Sequence, residues 1–130
     1  MTTVLLDTHV IHWFSAEPQR ISSRASAALL GSDDLVVSAI SWFELAWLAK
    51  HERIVITTPI RSWLDVMSGY VRTVGITPAI ADAAVSLPAT FPSDPADRLI
   101  YATSVELGLP LVTKDRRMRN HRHPGLSVIW

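Results

Sequence analysis

Four acidic residues, Asp7, Glu44, Asp97 and Asp115, stand where a carboxylate can do chemistry. Asp7 ends the apolar run Val4-Leu5-Leu6, and Asp115 follows Leu111-Val112-Thr113-Lys114. A short unbroken apolar run reads as a strand buried on both faces of a parallel sheet. Acids at the carboxyl ends of such strands lie in the crevice where open α/β sheets place their ligands. Glu44 is expected in the first turn of a helix beginning at Ser41, and Asp97 in the first turn of one beginning at Pro95. Strand ends and helix starts share one edge of the sheet, so the four groups can converge.

Each acid also has a plain structural reading. Asp7 suits an N-cap, accepting the free N–H groups of the next helix. Ser41-Trp42-Phe43-Glu44 fits a capping box. Asp94-Pro95-Ala96-Asp97 fits an N-cap, a proline in the first helical position and an acid facing the helix dipole. Asp115 suits a turn. Glu44 is the odd one, because Trp42-Phe43-Glu44-Leu45-Ala46-Trp47 is an apolar setting with no lysine or arginine one turn away. An unpartnered carboxylate is costly there.

Convergence would demand a cation. Two carboxylates about 5 Å apart at an effective dielectric near 20 repel by roughly 3 kcal/mol, and four such groups repel in every pairing. Oxygen ligands without cysteine select Mg2+ or Mn2+ over Zn2+. His9 and His12 are three residues apart but have no third partner for a zinc site.

The surrounding pattern alternates short apolar runs with helical stretches, which predicts an α/β fold. Strands are expected at Val4–Leu6, Leu35–Ser38, Val71–Val74, Leu111–Thr113 and Leu126–Trp130. Helices are expected from Val10, over Ile21–Leu30 before Gly31, over Ser41–Lys50, over Pro59–Tyr70, over Ala79–Leu87 behind Thr77-Pro78, and from Pro95 to Leu107 before Gly108. The helix from Ser41 is apolar nearly all round. Trp42, Leu45, Ala46 and Ala49 form a core face, while Phe43, Trp47 and Leu48 lie elsewhere. Such a helix needs cover on several sides, which predicts a homodimer.

The chain's 130 residues suit a single domain, with 48% hydrophobic and 18% charged content. No run approaches the length of a membrane span, and no basic region precedes the first apolar run as in a signal peptide. The absence of cysteine excludes disulfides and suits a cytoplasmic protein. Formal net charge is zero, yet Lys114 to His123 carries five Lys/Arg against one acid. This run is either a solvated surface or a phosphate-holding patch beside Asp115.

Together LLDTHV at Asp7, SAISWFELAWLAK at Glu44, DPADRLIYATS at Asp97, LPLVTKDRRM at Asp115 and the closing SVIW resemble the PIN-domain nucleases, and among them the VapC-type toxins of toxin–antitoxin pairs. The resemblance runs from Val4 to Trp130 and implies a single PIN domain over residues 1–130. It implies a three-layer fold with a central parallel sheet of about five strands flanked by helices. It implies that Asp7, Glu44, Asp97 and Asp115 are catalytic and hold Mg2+ or Mn2+, supported by Thr8, Asp94 and Thr113. Arg98, Lys114, Arg116 and Arg117 are the implied RNA contacts. The implied activity is endonucleolytic hydrolysis of RNA phosphodiester bonds by a Mg2+-activated water. A VapB-like antitoxin is the implied partner, with operator DNA bound only through it.

Three other readings fit parts of the pattern. A PIN nuclease of RNA processing or decay would share the site without being a toxin. A phosphorylated receiver domain would have an acid pair after the first strand and an acceptor aspartate after a middle one, whereas Asp7 has no acidic neighbour and Ser38 ends the middle strand. A non-catalytic RNA-binding or interaction module would use the acids only as caps.

Overall fold

In the computed structural model, which describes residues 2–121 and 123–130, Thr3–Leu6 (β1) is the middle of a five-stranded sheet. Asp34–Ser38 (β2) and Leu111–Val112 (β4) flank it, with Arg72–Val74 (β3) beyond β2 and Val128–Ile129 (β5) beyond β4. Every pairing is parallel. Residues alternate between faces, as the pleat requires. Val4, Leu6, Val37 and Val112 enter one apolar cluster, while Leu5, Val36 and Leu111 enter another. A sheet buried on both faces needs helices on both, and the three expected layers are present.

The first face is covered by Thr8–Ala16 (α1), Ser23–Leu30 (α2), Ala39–Lys50 (α3) and Ile60–Ser68 (α4), which supply Ile11, Ala25, Leu45 and Met67 to its cluster. The second is covered by Pro95–Leu107 (α6) and the short helix Arg116–Asn120 (α7), through Ile100, Tyr101 and Met118. Pro78–Val85 (α5) packs on α6 through Ile80, Ala84 and Ala102. A 3-10 turn at Pro18–Arg20 links α1 to α2.

Local chemistry sets these limits. Ser22 and Thr77 accept N–H groups at the starts of α2 and α5, with Pro78 at the first position of α5. Gly108 ends α6 at φ 66°, the left-handed geometry glycine adopts freely.

Two expectations are corrected. The helix containing Glu44 starts at Ala39, because Ser38, the last residue of β2, takes the N-cap and accepts from the Ile40 N–H at 3.3 Å. Ser41 therefore lies inside α3 and Glu44 in its second turn, with no capping box. The core face of α3 is also rotated: Leu48 packs on the cluster with Trp42 and Leu45, whereas Ala46 and Ala49 do not join it. α7 was not expected at all. Its five residues contribute one buried apolar side chain, Met118, too few to leave a periodic pattern. Arg122, part of the basic run, lies outside the described residues.

Candidate active site

The strand order β3-β2-β1-β4-β5 makes β1 the strand from which the chain builds outward in both directions. β1 and β4 are therefore neighbours whose following segments diverge, the arrangement that opens a crevice at the carboxyl ends. Asp7 follows β1 there, and its backbone N–H donates to the Val112 carbonyl at 3.0 Å. Its side chain is both cap and corner. Oδ1 accepts the Thr8 N–H at 2.7 Å, and Oδ2 accepts the Thr113 hydroxyl at 2.7 Å. Asp7 is only 7% exposed, and burial raises its pKa against the lowering effect of these bonds.

Glu44 finds its partner in Thr8. The Thr8 hydroxyl donates to Glu44 Oε1 at 2.5 Å and lies 3.0 Å from the Ser41 hydroxyl. With its one proton directed at Glu44, Thr8 accepts from Ser41. This Ser41–Thr8–Glu44 relay answers the apolar setting of Glu44, whose carboxyl is nevertheless pushed up, first by burial. The buried Ser41 was missed by sequence reasoning, which used it as a helix cap.

Asp97 and Asp115 close the cleft. Asp94 caps α6, its Oδ2 accepting the Asp97 N–H at 3.0 Å. Asp115 caps α7, its Oδ1 accepting the Arg117 N–H at 2.8 Å, while its own N–H donates to Thr113 Oγ1 at 3.0 Å. Arg117 Nη2 spans the two acids, 3.3 Å from Asp97 Oδ2 and 3.1 Å from Asp115 Oδ2. Burial acts to raise Asp115, but the bonds and charge of Arg117 outweigh it and hold the group below the usual carboxylate range. Asp97 is pushed up to about 7, by burial first and then by repulsion from Asp7, Asp94, Asp115 and Glu44.

One cleft of about 710 Å³ thus gathers Asp7, Glu44, Asp94, Asp97 and Asp115, with Lys114, Arg116 and Arg117 on its rim. Five carboxylates against three cations leave excess negative charge. Among the described residues no three of these acids are arranged tightly enough to enclose an ion by themselves. The donor set nevertheless fits Mg2+ or Mn2+, because Mg2+ favours one or two carboxylates and completes its octahedron with water. The raised Asp97 follows from the same burial and the same crowding of acids. Soft or nitrogen-preferring metals fit poorly, since every acid-bearing corner offers oxygen.

Arg98 is the residue whose expected role changes. Its guanidinium does not line the acidic cleft. Nε donates to Pro92 O, Nη1 to Ala84 O and Leu87 O, and Nη2 to Pro88 O and Phe91 O, at 2.9 to 3.3 Å. All five of its N–H groups are committed to backbone carbonyls. Arg98 pins the proline-punctuated loop before α6 and leaves no donor for phosphate. His9, considered only as a zinc ligand, and Trp13, which was overlooked, also line the cleft. The indole of Trp13 holds the Lys114 ammonium 5.6 Å from its ring centre. Trp13 lies six residues after Asp7 in an apolar helix pattern, and nothing in that spacing marks it as a cleft residue.

Residues 4–124 match the PIN domain family. The chain is 62% identical to Ribonuclease VapC22 of Mycobacterium tuberculosis over 130 residues, all of both proteins. Its fold resembles that of VapBC from Salmonella typhimurium solved with DNA, at 20% identity and a TM-score of 0.71, covering 98% of this chain and 97% of that one. It also resembles VapBC2 from Rickettsia felis bound to a fragment of its promoter, at 16% identity and a TM-score of 0.70, with coverage of 98% and 97%. Family, full-length identity and the acidic crevice at the switch point agree, and the chain belongs to the PIN-domain family, among its VapC-type members.

Proposed function

We propose that this chain is a metal-dependent endoribonuclease and the toxin of a toxin–antitoxin pair. The observation that carries the reading is the convergence of Asp7, Glu44, Asp94, Asp97 and Asp115 in one cleft at the carboxyl ends of β1 and β4. The ribonuclease name of the full-length relative supports RNA as substrate. Single-stranded or looped RNA is the form such an open cleft can reach.

The chemistry that bound Mg2+ or Mn2+ would supply here is activation of water and neutralisation of charge at the phosphoryl oxygens. The chain's own part is to fix the oxygens. Thr113 and the Thr8 N–H orient the two oxygens of Asp7, and the Ser41–Thr8 relay orients Glu44. Asp97, whose pKa is raised to about 7, would be held in its charged form by a cation bound beside it. Lys114, Arg116 and Arg117 stand on the rim, where phosphates on either side of the scissile bond would lie.

The DNA-bound assemblies named for the structural neighbours support a small VapB-like antitoxin as partner, with operator DNA engaged only through it; a cytoplasmic location belongs to the same proposal. A second copy is a further partner. Phe43 and Trp47 on α3 are 66% and 44% exposed, an unpaired apolar face of the kind that associates. No helix among the described residues is long and apolar enough to cross a membrane.

Induced expression of the isolated chain tests the reading. Growth arrest with cleaved cellular RNA is expected, and Asp7→Asn is expected to abolish both. A chain harmless when expressed alone would remove the toxin role while leaving a nuclease of RNA processing.

A further inference from the structure

Two other clefts adjoin the acidic one, and their charges differ. The first, of about 780 Å³, shares His9 and Trp13 with it and carries Arg20 and Arg53 on its walls. The other, of about 390 Å³, shares Glu44 and Asp94 with it, and its remaining lining is apolar, including Phe43 and Trp47. A phosphate chain leaving the acidic cleft therefore meets cations on one side and only carboxylates and apolar groups on the other.

Trp13 joins the cationic side to the centre. Its indole carries Lys114, a residue of the acidic cleft, at 5.6 Å and Arg20, a residue of the neighbouring one, at 5.0 Å. Cations held over an aromatic ring are ordered in advance and lose less freedom when a phosphate arrives. Arg53 is exposed and makes no salt bridge among the described residues. Glu17 opposes this charge, lying 3.7 Å from Arg20 and 3.4 Å from His12. Both members of the Arg20–Glu17 pair are substantially solvent-exposed, so a phosphate can displace Glu17.

We infer that the cationic cleft of about 780 Å³ is the path of the RNA strand beyond the scissile phosphate, with Arg20 and Arg53 binding the backbone of the flanking nucleotides. The strand on one side of the scissile phosphate follows this cleft, passing Lys114 and Trp13. This rests on the ribonuclease reading and adds a direction to it. An electrostatic groove that tracks the backbone is the general means of holding single strands without reading sequence.

The test is the salt dependence of binding, read by anisotropy of a fluorescein-labelled single-stranded oligoribonucleotide with Ca2+ in place of Mg2+. Each phosphate contact in a single strand contributes about 0.7 to the slope of log K against log salt. Arg20→Gln with Arg53→Gln is expected to reduce the slope by about 1.4, and Arg53→Gln alone by about 0.7. Glu17→Gln is expected to tighten binding. The single Arg53 variant keeps the result readable if loss of Arg20 disturbs Trp13. Native protein that binds the RNA with a slope unchanged in both arginine variants overturns the path alone, and leaves the cleft to a protein partner. Native protein that neither binds nor cuts RNA overturns the ribonuclease reading and the path with it.

Discussion

Thr113 and Asp7 are 106 residues apart in the chain, yet the Thr113 hydroxyl donates to Asp7 Oδ2 at 2.7 Å. The contact is possible because β1 and β4 are adjacent parallel strands, pairing Leu6 with Val112. It turns the end of one strand into the clamp for the acid that ends the other. The same Thr113 oxygen accepts the Asp115 N–H, so one hydroxyl fixes two corners of the cleft.

Thr113→Val keeps the shape and removes both bonds. Asp7 would be left buried with one acceptor unmet, a loss of about 1–3 kcal/mol in unfolding free energy. Metal affinity is expected to fall about 10- to 100-fold, the usual effect of removing a group that orients a ligand. Denaturant unfolding and Mn2+ titration check the two effects separately; unchanged Mn2+ affinity would assign Thr113 to folding alone.

Thr8→Val tests the other relay. Glu44 loses its donor and Ser41 its acceptor, so Mn2+ affinity is again expected to drop by about 10-fold or more. Ser41→Ala, which leaves the Thr8–Glu44 bond in place, should weaken it less. Equal losses from the two variants would contradict the order Ser41 to Thr8 to Glu44.

Asp97 gives the site a pH signature. Its carboxyl moves from the ordinary 3.8 to about 7 on folding. A group raised in this way contributes stability that is complete below its unfolded pKa and lost as pH rises through its folded one. In EDTA the protein is therefore expected to weaken between about pH 4 and pH 7. Asp97→Asn should reduce that fall and stabilise the protein at pH 8 by about 1 kcal/mol, the repulsion being partly relieved already by Arg117. A variant less stable than the native protein at pH 8 would mean that the Arg117 pair outweighs the repulsion.

Arg98→Lys is a stability change rather than a binding change. A single ammonium cannot reach the five carbonyls that the guanidinium fork serves. A loss of at least about 2 kcal/mol is expected, with the salt slope of RNA binding unaltered. A shallower slope would restore Arg98 as a phosphate contact.

The sheet was legible because a parallel strand buried on both faces must be apolar throughout, and Val4–Leu6 and Leu111–Val112 announce that without help from context. The acids were legible for a related reason, since Asp7 and Asp115 come just after such strands, Asp97 lies in the first turn of α6, and Glu44 lies one turn into the helix that follows β2. What could not be read was set by contacts across the fold. Ser41 looks like a cap until Ser38 is found to do that work, and its partner Thr8 lies 33 residues away. Arg98 sits one residue from Asp97 and looks like part of the site, but the loop from Leu87 to Pro92 folds back to claim its donors. Trp13 reads as one more core aromatic, because nothing local tells that Lys114 and Arg20 come to rest on it.

The central claim is that these carboxylates cut RNA only with a divalent cation among them. The direct measurement is cleavage of single-stranded RNA by the purified chain in Mg2+, in EDTA, and by folded Asp97→Asn in Mg2+. Cutting is expected in the first and none in the other two. Cutting in EDTA, or by Asp97→Asn at the native rate, would contradict the claim.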